Sequence, residues 1–153
     1  MRILLALALL CLPCLGAAQS RQSDESQLRT LHAQLIQAHI EGKVDQWMAI
    51  EADSFVSINR GQVTFPGFAE RRKRRAAYLR EASFSLYRDL RTPIVRISVD
   101  GSLGWLIAEV EVEGTMPSPE GGRSSFHDIW AWIELYEKTE VGWRLIGNAS
   151  NQR

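Results

Sequence analysis

Phe126-His127-Asp128-Ile129-Trp130-Ala131-Trp132-Ile133-Glu134-Leu135-Tyr136, followed after Lys138-Thr139-Glu140 by Val141-Gly142-Trp143-Arg144-Leu145-Ile146-Gly147-Asn148-Ala149-Ser150-Asn151, decides the fold of this chain. Both stretches are dense in Trp, Tyr and β-branched residues, which suit a pleated, half-buried surface better than a helix. With a turn signal between them, they predict a long antiparallel terminal hairpin.

Upstream of the hairpin, residues 84–90, 93–99 and 103–115 also read as strands, separated by Asp100-Gly101 and by Pro117-Ser118-Pro119-Glu120-Gly121-Gly122. The first half of the chain is helical. Ser23 or Ser26 can cap a helix running to about Glu41, with Leu28, Leu31, Leu35 and Ala38 on its apolar stripe and Gly42 as its C′ residue. A short second helix over 44–51 and a strand over 53–59 follow. Residues 61–67 then read as a loop, and Pro66 opens a third helix over 68–82. Three N-terminal helices packed on a strongly curved antiparallel sheet make an α+β domain over residues 26–151.

The N-terminus reads differently. Arg2 precedes an apolar run from Ile3 to Leu15, and Gly16-Ala17-Ala18 offers small residues for cleavage, so 1–18 reads as a signal peptide and Gln19 as the first mature residue. The run is too short to span the ~30 Å hydrocarbon core of a bilayer. Residues 19–25 read as a flexible tether. The expected location is secreted or periplasmic, with no membrane contact once the leader is removed. Both cysteines, Cys11 and Cys14, lie in the leader, which leaves the mature chain without a disulfide or a thiolate metal site. The whole chain balances 18 basic against 18 acidic residues, which argues against nucleic acid as a partner.

The order helix, Gly42-Lys43-Val44-Asp45, short helix, Ala52-Asp53-Ser54-Phe55 and strand, together with the terminal hairpin, resembles the nuclear transport factor 2-like (SnoaL-like) superfamily. That resemblance implies a cone-shaped, cystatin-like roll whose open end is a pocket. It covers about residues 26 to 151. It is weak on function, because the superfamily contains isomerases, dehydratases, cyclases, hydrolases and transport factors. Ketosteroid isomerase chemistry in this fold needs a Tyr on the first helix, a carboxylate base at the end of the first strand and a protonated Asp on a late strand. The corresponding positions fall near Leu35, Asn59 and Trp132, so that chemistry is not expected here.

Among residues able to do acid–base work, His127 is the catalytic candidate, since scytalone dehydratase-like relatives use His and Asp in this cone. Strand alternation separates it from Asp128. It places His127, Ile129, Ala131, Ile133 and Leu135 on the face expected to be buried, and Asp128, Trp130, Trp132 and Glu134 on the other. Asn59, Tyr87, His127, Trp132 and Asn148 are the pocket candidates. Trp130, Trp132, Glu109 and Glu111 are the candidates for a homodimer interface, because exposed Trp side chains call for a cover. His32 and His39, seven apart, read as flanks of an apolar stripe, and no metal site or cofactor is expected. Arg71-Arg72-Lys73-Arg74-Arg75 reads as a solvated helix face, Glu109, Glu111 and Glu113 as solvent-facing, and the sequon Asn148-Ala149-Ser150 as structural. The leading functional expectation is an exported domain that binds a small apolar molecule. A His127-dependent dehydratase or isomerase and a dimeric interaction module are the alternatives.

Overall fold

The terminal hairpin forms the middle of a seven-stranded sheet. The computed structural model describes residues 12–153. Of the expected leader, residues 1–11 lie outside the described residues. The elements run α1 (Leu12–Ile40), α2 (Val44–Ile50), β1 (Glu51–Asn59), β2 (Gln62–Thr64), α3 (Phe68–Glu81), β3 (Ser83–Asp89), β4 (Ile94–Ile97), β5 (Leu103–Pro117), β6 (Arg123–Thr139) and β7 (Gly142–Gln152). The sheet order is β2-β1-β7-β6-β5-β3, with β4 also paired to β5.

The expected antiparallel sheet is in fact mixed. All pairings are antiparallel except β1 with β7, which run parallel through Val56↔Gly147 to Asn59↔Ser150. Everything from α3 to β6 lies between these two strands in sequence, and that long connection permits a parallel pair. Register shifts interrupt the pairing between Phe84 and Leu86, between Leu135 and Tyr136, and between Glu51 and Val56. Such bulges bend their strands, and here they curl the sheet over the helices.

Gly42 ends α1 with φ 66°, and the Lys43 amide donates to the Ala38 carbonyl at 2.9 Å, the long bond of a Schellman cap. The loop expected over 61–67 contains the short strand β2. Arg60 and Gly61 both have positive φ, the conformation of a two-residue hairpin turn whose twist matches its strands. The stretch 19–25, expected as a tether, is helical within α1. Asp24 is buried there and accepts hydrogen bonds from Lys138 Nζ at 2.6 Å and Trp143 Nε1 at 3.0 Å.

The core sits between α1 and α2 on one side and the inner face of the sheet on the other. It joins Leu28, Leu35, Ile50 and Phe55 to Leu106, Val110, Val112, Tyr136, Trp143 and Leu145. Burying each such large apolar side chain stabilises the fold by roughly 1.5–3 kcal/mol. On β5 the even-numbered residues from Gly104 to Gly114 point inward. Pairing to β6 runs Leu103↔Glu137 through Pro117↔Arg123, so even numbers face inward on β6 as well.

Candidate functional site

A cavity of about 540 Å³ opens between the helices and the inner face of the sheet. Its apolar lining comes from Leu35, Trp47, Phe55, Tyr78, Tyr87, Val112, Phe126, Trp130 and Trp132. One wall, where β1 meets β7, carries Ser57, Asn59, Asn148 and Ser150 in paired register, and the Ser57 hydroxyl donates to Asn148 Oδ1 at 3.3 Å. Charged groups line it too: Glu51, Arg71, Arg74, Arg75, Asp128 and Glu134.

Behind one wall lies a buried charge network centred on Glu134, which is 1 % exposed. Glu134 Oε1 accepts from His32 Nδ1 at 2.8 Å and from Trp132 Nε1 at 2.8 Å, and Oε2 accepts from the Tyr136 hydroxyl at 2.7 Å. The other ring nitrogen of His32 reaches Asp89 Oδ1 at 3.0 Å. Burial by itself would push the His32 pKa down, but hydrogen bonds and attraction from Glu134 and Asp89 outweigh it and hold the pKa up at about 9. His32 is therefore an imidazolium that donates from both nitrogens. A buried charge needs partners of this kind, because desolvating it alone would cost several kcal/mol.

A second network closes the α3 side. Positions 71 and 75, one helical turn apart, put both guanidinium groups inward. Arg71, 1 % exposed, donates from Nε to Glu51 Oε2 at 2.8 Å, from Nη1 to the carbonyls of Asp53 at 3.2 Å and Pro66 at 2.6 Å, and from Nη2 to the Ala52 carbonyl. Arg75 donates from Nε to Glu51 Oε1 at 2.8 Å and pairs with the same oxygen through Nη2. The Trp47 indole donates to Glu51 Oε1 at 3.1 Å, and its ring lies 4.4 Å from the Arg75 guanidinium carbon. The reading of 71–75 as a solvated face thus holds for Arg72 and Arg74 and fails for Arg71 and Arg75.

His39 lines the cavity in a different state from His32. Its Nδ1–H donates to the Leu35 carbonyl at 2.7 Å, and its ring packs against Trp47 at 3.8 Å and Tyr87 at 5.1 Å. Burial dominates and pushes its pKa down to about 4, with Arg75 adding to the effect. The ring is neutral near pH 7, and Nε2 keeps its lone pair. Burial likewise pushes the Tyr78 hydroxyl up to about 12, and Tyr87 higher still.

Of the residues singled out from sequence, Asn59, Tyr87, Trp132 and Asn148 line the cavity and His127 does not. His127 stands on the outer face with its side chain 57 % exposed, and its Nε2 lies 3.0 Å from Glu111 Oε1. The assignment of faces on β6 is corrected: Asp128, Trp130, Trp132 and Glu134 are inside, while His127, Ile129, Ala131, Ile133 and Leu135 are outside. The reason is that the inner face carries polar and aromatic cavity residues, and the outer one carries aliphatic side chains. Trp130 and Trp132 are accordingly withdrawn as interface residues. Glu109 and Glu111 do lie on the outer face, paired with Arg91 and Arg88. His127, Glu111 and Glu113 bring ligand atoms within 4.8 Å of one another, close enough to share a cation, although Arg88 already holds Glu111 at 2.7 Å. Sequence reasoning missed Glu51, Glu134, His32 and His39. A signal existed for the histidines, each one turn beyond a core leucine, Leu28 and Leu35.

Three helices against a curved, open, mixed sheet with a cavity on its concave side define an α+β cone. The chain has the nuclear transport factor 2-like fold. A ketosteroid isomerase-like protein from Erwinia carotovora atroseptica superposes with a TM-score of 0.65 at 13% identity, covering 84% of this chain and 95% of that one. An NTF2-like protein from Cytophaga hutchinsonii gives 0.66 at 11% identity over 84% and 97%. One from Rhodospirillum rubrum gives 0.64 at 16% over 81% and 96%. No family model and no curated protein sequence matches the chain.

Proposed function

We propose that this chain is an exported domain that binds a small molecule with a largely apolar body in the cavity, without a catalytic set of its own. The observation that carries the reading is the cavity itself. Its volume of about 540 Å³ lies within the ~300–1,000 Å³ of ordinary small-molecule sites, and its aromatic lining is interrupted by a few polar groups. The acid–base groups around it are occupied or mismatched. Glu134 and Glu51 each accept several hydrogen bonds, and His39, with a pKa of about 4, is a poor base near neutrality. The three positions compared with ketosteroid isomerase, Leu35, Asn59 and Trp132, all line the cavity and supply no carboxylate or phenol. Native mass spectrometry of protein purified without denaturation tests the reading. The expected result is a reproducible non-covalent mass excess that denaturation removes. A bare polypeptide mass, together with no thermal shift across a library of apolar small molecules, overturns it. Export is tested by N-terminal sequencing: Gln19 as the first residue supports it and Met1 refutes it.

One observation favours a homodimer built through the outer face of the sheet rather than through Trp130 and Trp132. Ile94 and Ile107 are exposed there, beside half-buried Ile129, Ala131 and Ile133. The helices pack on the opposite face, so these aliphatic side chains have no cover among the described residues. Glu109, Glu111 and His127 fringe the patch, as polar groups fringe an interface. Sedimentation at micromolar concentration tests this, and a monomer there refutes it.

A further inference from the structure

Two arginines share one carboxylate in the cavity wall. Glu51 receives Arg71 on Oε2 and Arg75 on Oε1, which leaves one positive charge uncompensated within that cluster. Arg71 has every guanidinium nitrogen engaged by Glu51 or a backbone carbonyl. Arg75 does not: Nε and Nη2 go to Glu51, and Nη1 has no hydrogen-bond partner among the described residues. The side chain is only 19% exposed, it lines the cavity, and Trp47 at 4.4 Å and Phe55 at 5.6 Å flank the guanidinium. Aromatic faces hold it in place and keep water from solvating it fully.

Elsewhere on the cavity wall Glu134 is neutralised by His32 and the exposed Arg74 has Glu70 at 3.5 Å, while Asp128 has the neutral Gln152 amide at 2.7 Å as its partner. Burial lowers the Arg75 pKa from its ordinary value, against the opposing pull of Glu51. Building on the ligand-binding reading above, we infer that the ligand is a carboxylic acid with an aromatic or alicyclic body, its carboxylate taken by Arg75 and its body by Trp47, Tyr87, Trp130 and Trp132. A monoanion matches the single positive charge that Glu51 leaves over between Arg71 and Arg75. A guanidinium N–H to a carboxylate is a charge-assisted bond, stronger than a neutral one and stronger still away from water.

Isothermal titration of the full chain with sodium 4-phenylbutyrate and with 4-phenylbutan-1-ol, which share a body and differ in the anion, tests the inference. The acid is expected to bind about tenfold or more tightly than the alcohol, in line with the larger stabilisation from hydrogen bonds to charged groups. Arg75→Met is expected to erase that preference, so that acid and alcohol bind the variant equally. Added salt is expected to weaken the acid and spare the alcohol, a comparison that needs no variant to fold. Equal binding of acid and alcohol overturns the carboxylate inference and leaves the pocket reading standing. Failure of both to bind overturns both.

Discussion

His32 and His39 lie two helical turns apart on one face of α1 and are held in opposite protonation states. His32 sits between the Glu134 and Asp89 carboxylates as an imidazolium, with a pKa of about 9. His39, walled by aromatic rings and facing Arg75, is neutral with a pKa of about 4. Folding therefore takes up a proton at one and excludes it at the other.

Stability should accordingly peak near the ordinary His pKa of ~6.5 and fall on both sides. Below that value the unfolded chain protonates His39 and the folded one does not until about pH 4, so stability falls with acid. Above it the folded chain keeps the His32 proton that the unfolded chain has lost, and stability falls until about pH 9. Thermal melts from pH 4 to 9.5 check this. His32→Gln should flatten the alkaline limb and His39→Leu should make the acid limb shallower. A melting temperature unchanged between pH 7 and 9 contradicts the assignment of His32.

Glu134→Leu should destabilise by about 3–5 kcal/mol in urea unfolding, because it strands a buried imidazolium together with the Trp132 and Tyr136 donors. Adding His32→Leu to it should recover part of that loss. A single-variant cost under about 1 kcal/mol contradicts the network.

Gly147→Ala probes the parallel seam. A Cβ there would stand 2.6 Å from the Val56 carbonyl oxygen, and strand backbone cannot yield as a flexible side chain would. A loss of about 1–3 kcal/mol is expected, typical of overpacking. Gly121→Ala in the β5–β6 turn, where φ is 94° and nothing lies within 4 Å, should show only the cost of its backbone conformation.

The outer-face dimer predicts that Ile133→Glu shifts sedimentation to the monomer while circular dichroism stays folded. Trp132→Glu, by contrast, buries a charge in the cavity wall and should lower the melting temperature without the same selective effect on mass. Unchanged sedimentation of Ile133→Glu excludes this face.

His127→Ala should change stability by no more than about 0.5 kcal/mol and leave ligand affinity untouched, since its pairing with Glu111 is solvent-exposed. Loss of binding in this variant contradicts its placement outside the cavity.

The element order was legible in the sequence because strong punctuation marks it: Gly42 after α1, Pro66 before α3, and Asp100-Gly101 and Gly121-Gly122 between strands. The hairpin at Arg60-Gly61 escaped notice because Arg is an unusual residue at the first turn position. The face assignment on β6 went wrong for a more general reason. Alternation shows which residues share a face, and burial is then inferred from hydrophobicity. A cavity with polar lining inverts that inference, because Asp128 and Glu134 look in while Ile129 and Ile133 look out. Pro117↔Arg123 pairing would have settled it, since even residues then share a face across β5 and β6, but register is a property of the closed turn. Arg71 and Arg75 were hidden in the same way, by a run of identical charges in which only helical phase separates the buried from the exposed.

Trp47, Trp130 and Trp132 line the cavity, whereas Trp143 is buried in the core beside Asp24 and Trp105 stands on the outer face. Of the chain's five indoles, three thus surround the space a ligand would occupy, one of them with its N–H on Glu134 and one lying against Arg75. The molecule carries a built-in optical reporter: a molecule entering the cavity would change the surroundings of three of its five tryptophans, with the two outside the lining left as an internal reference.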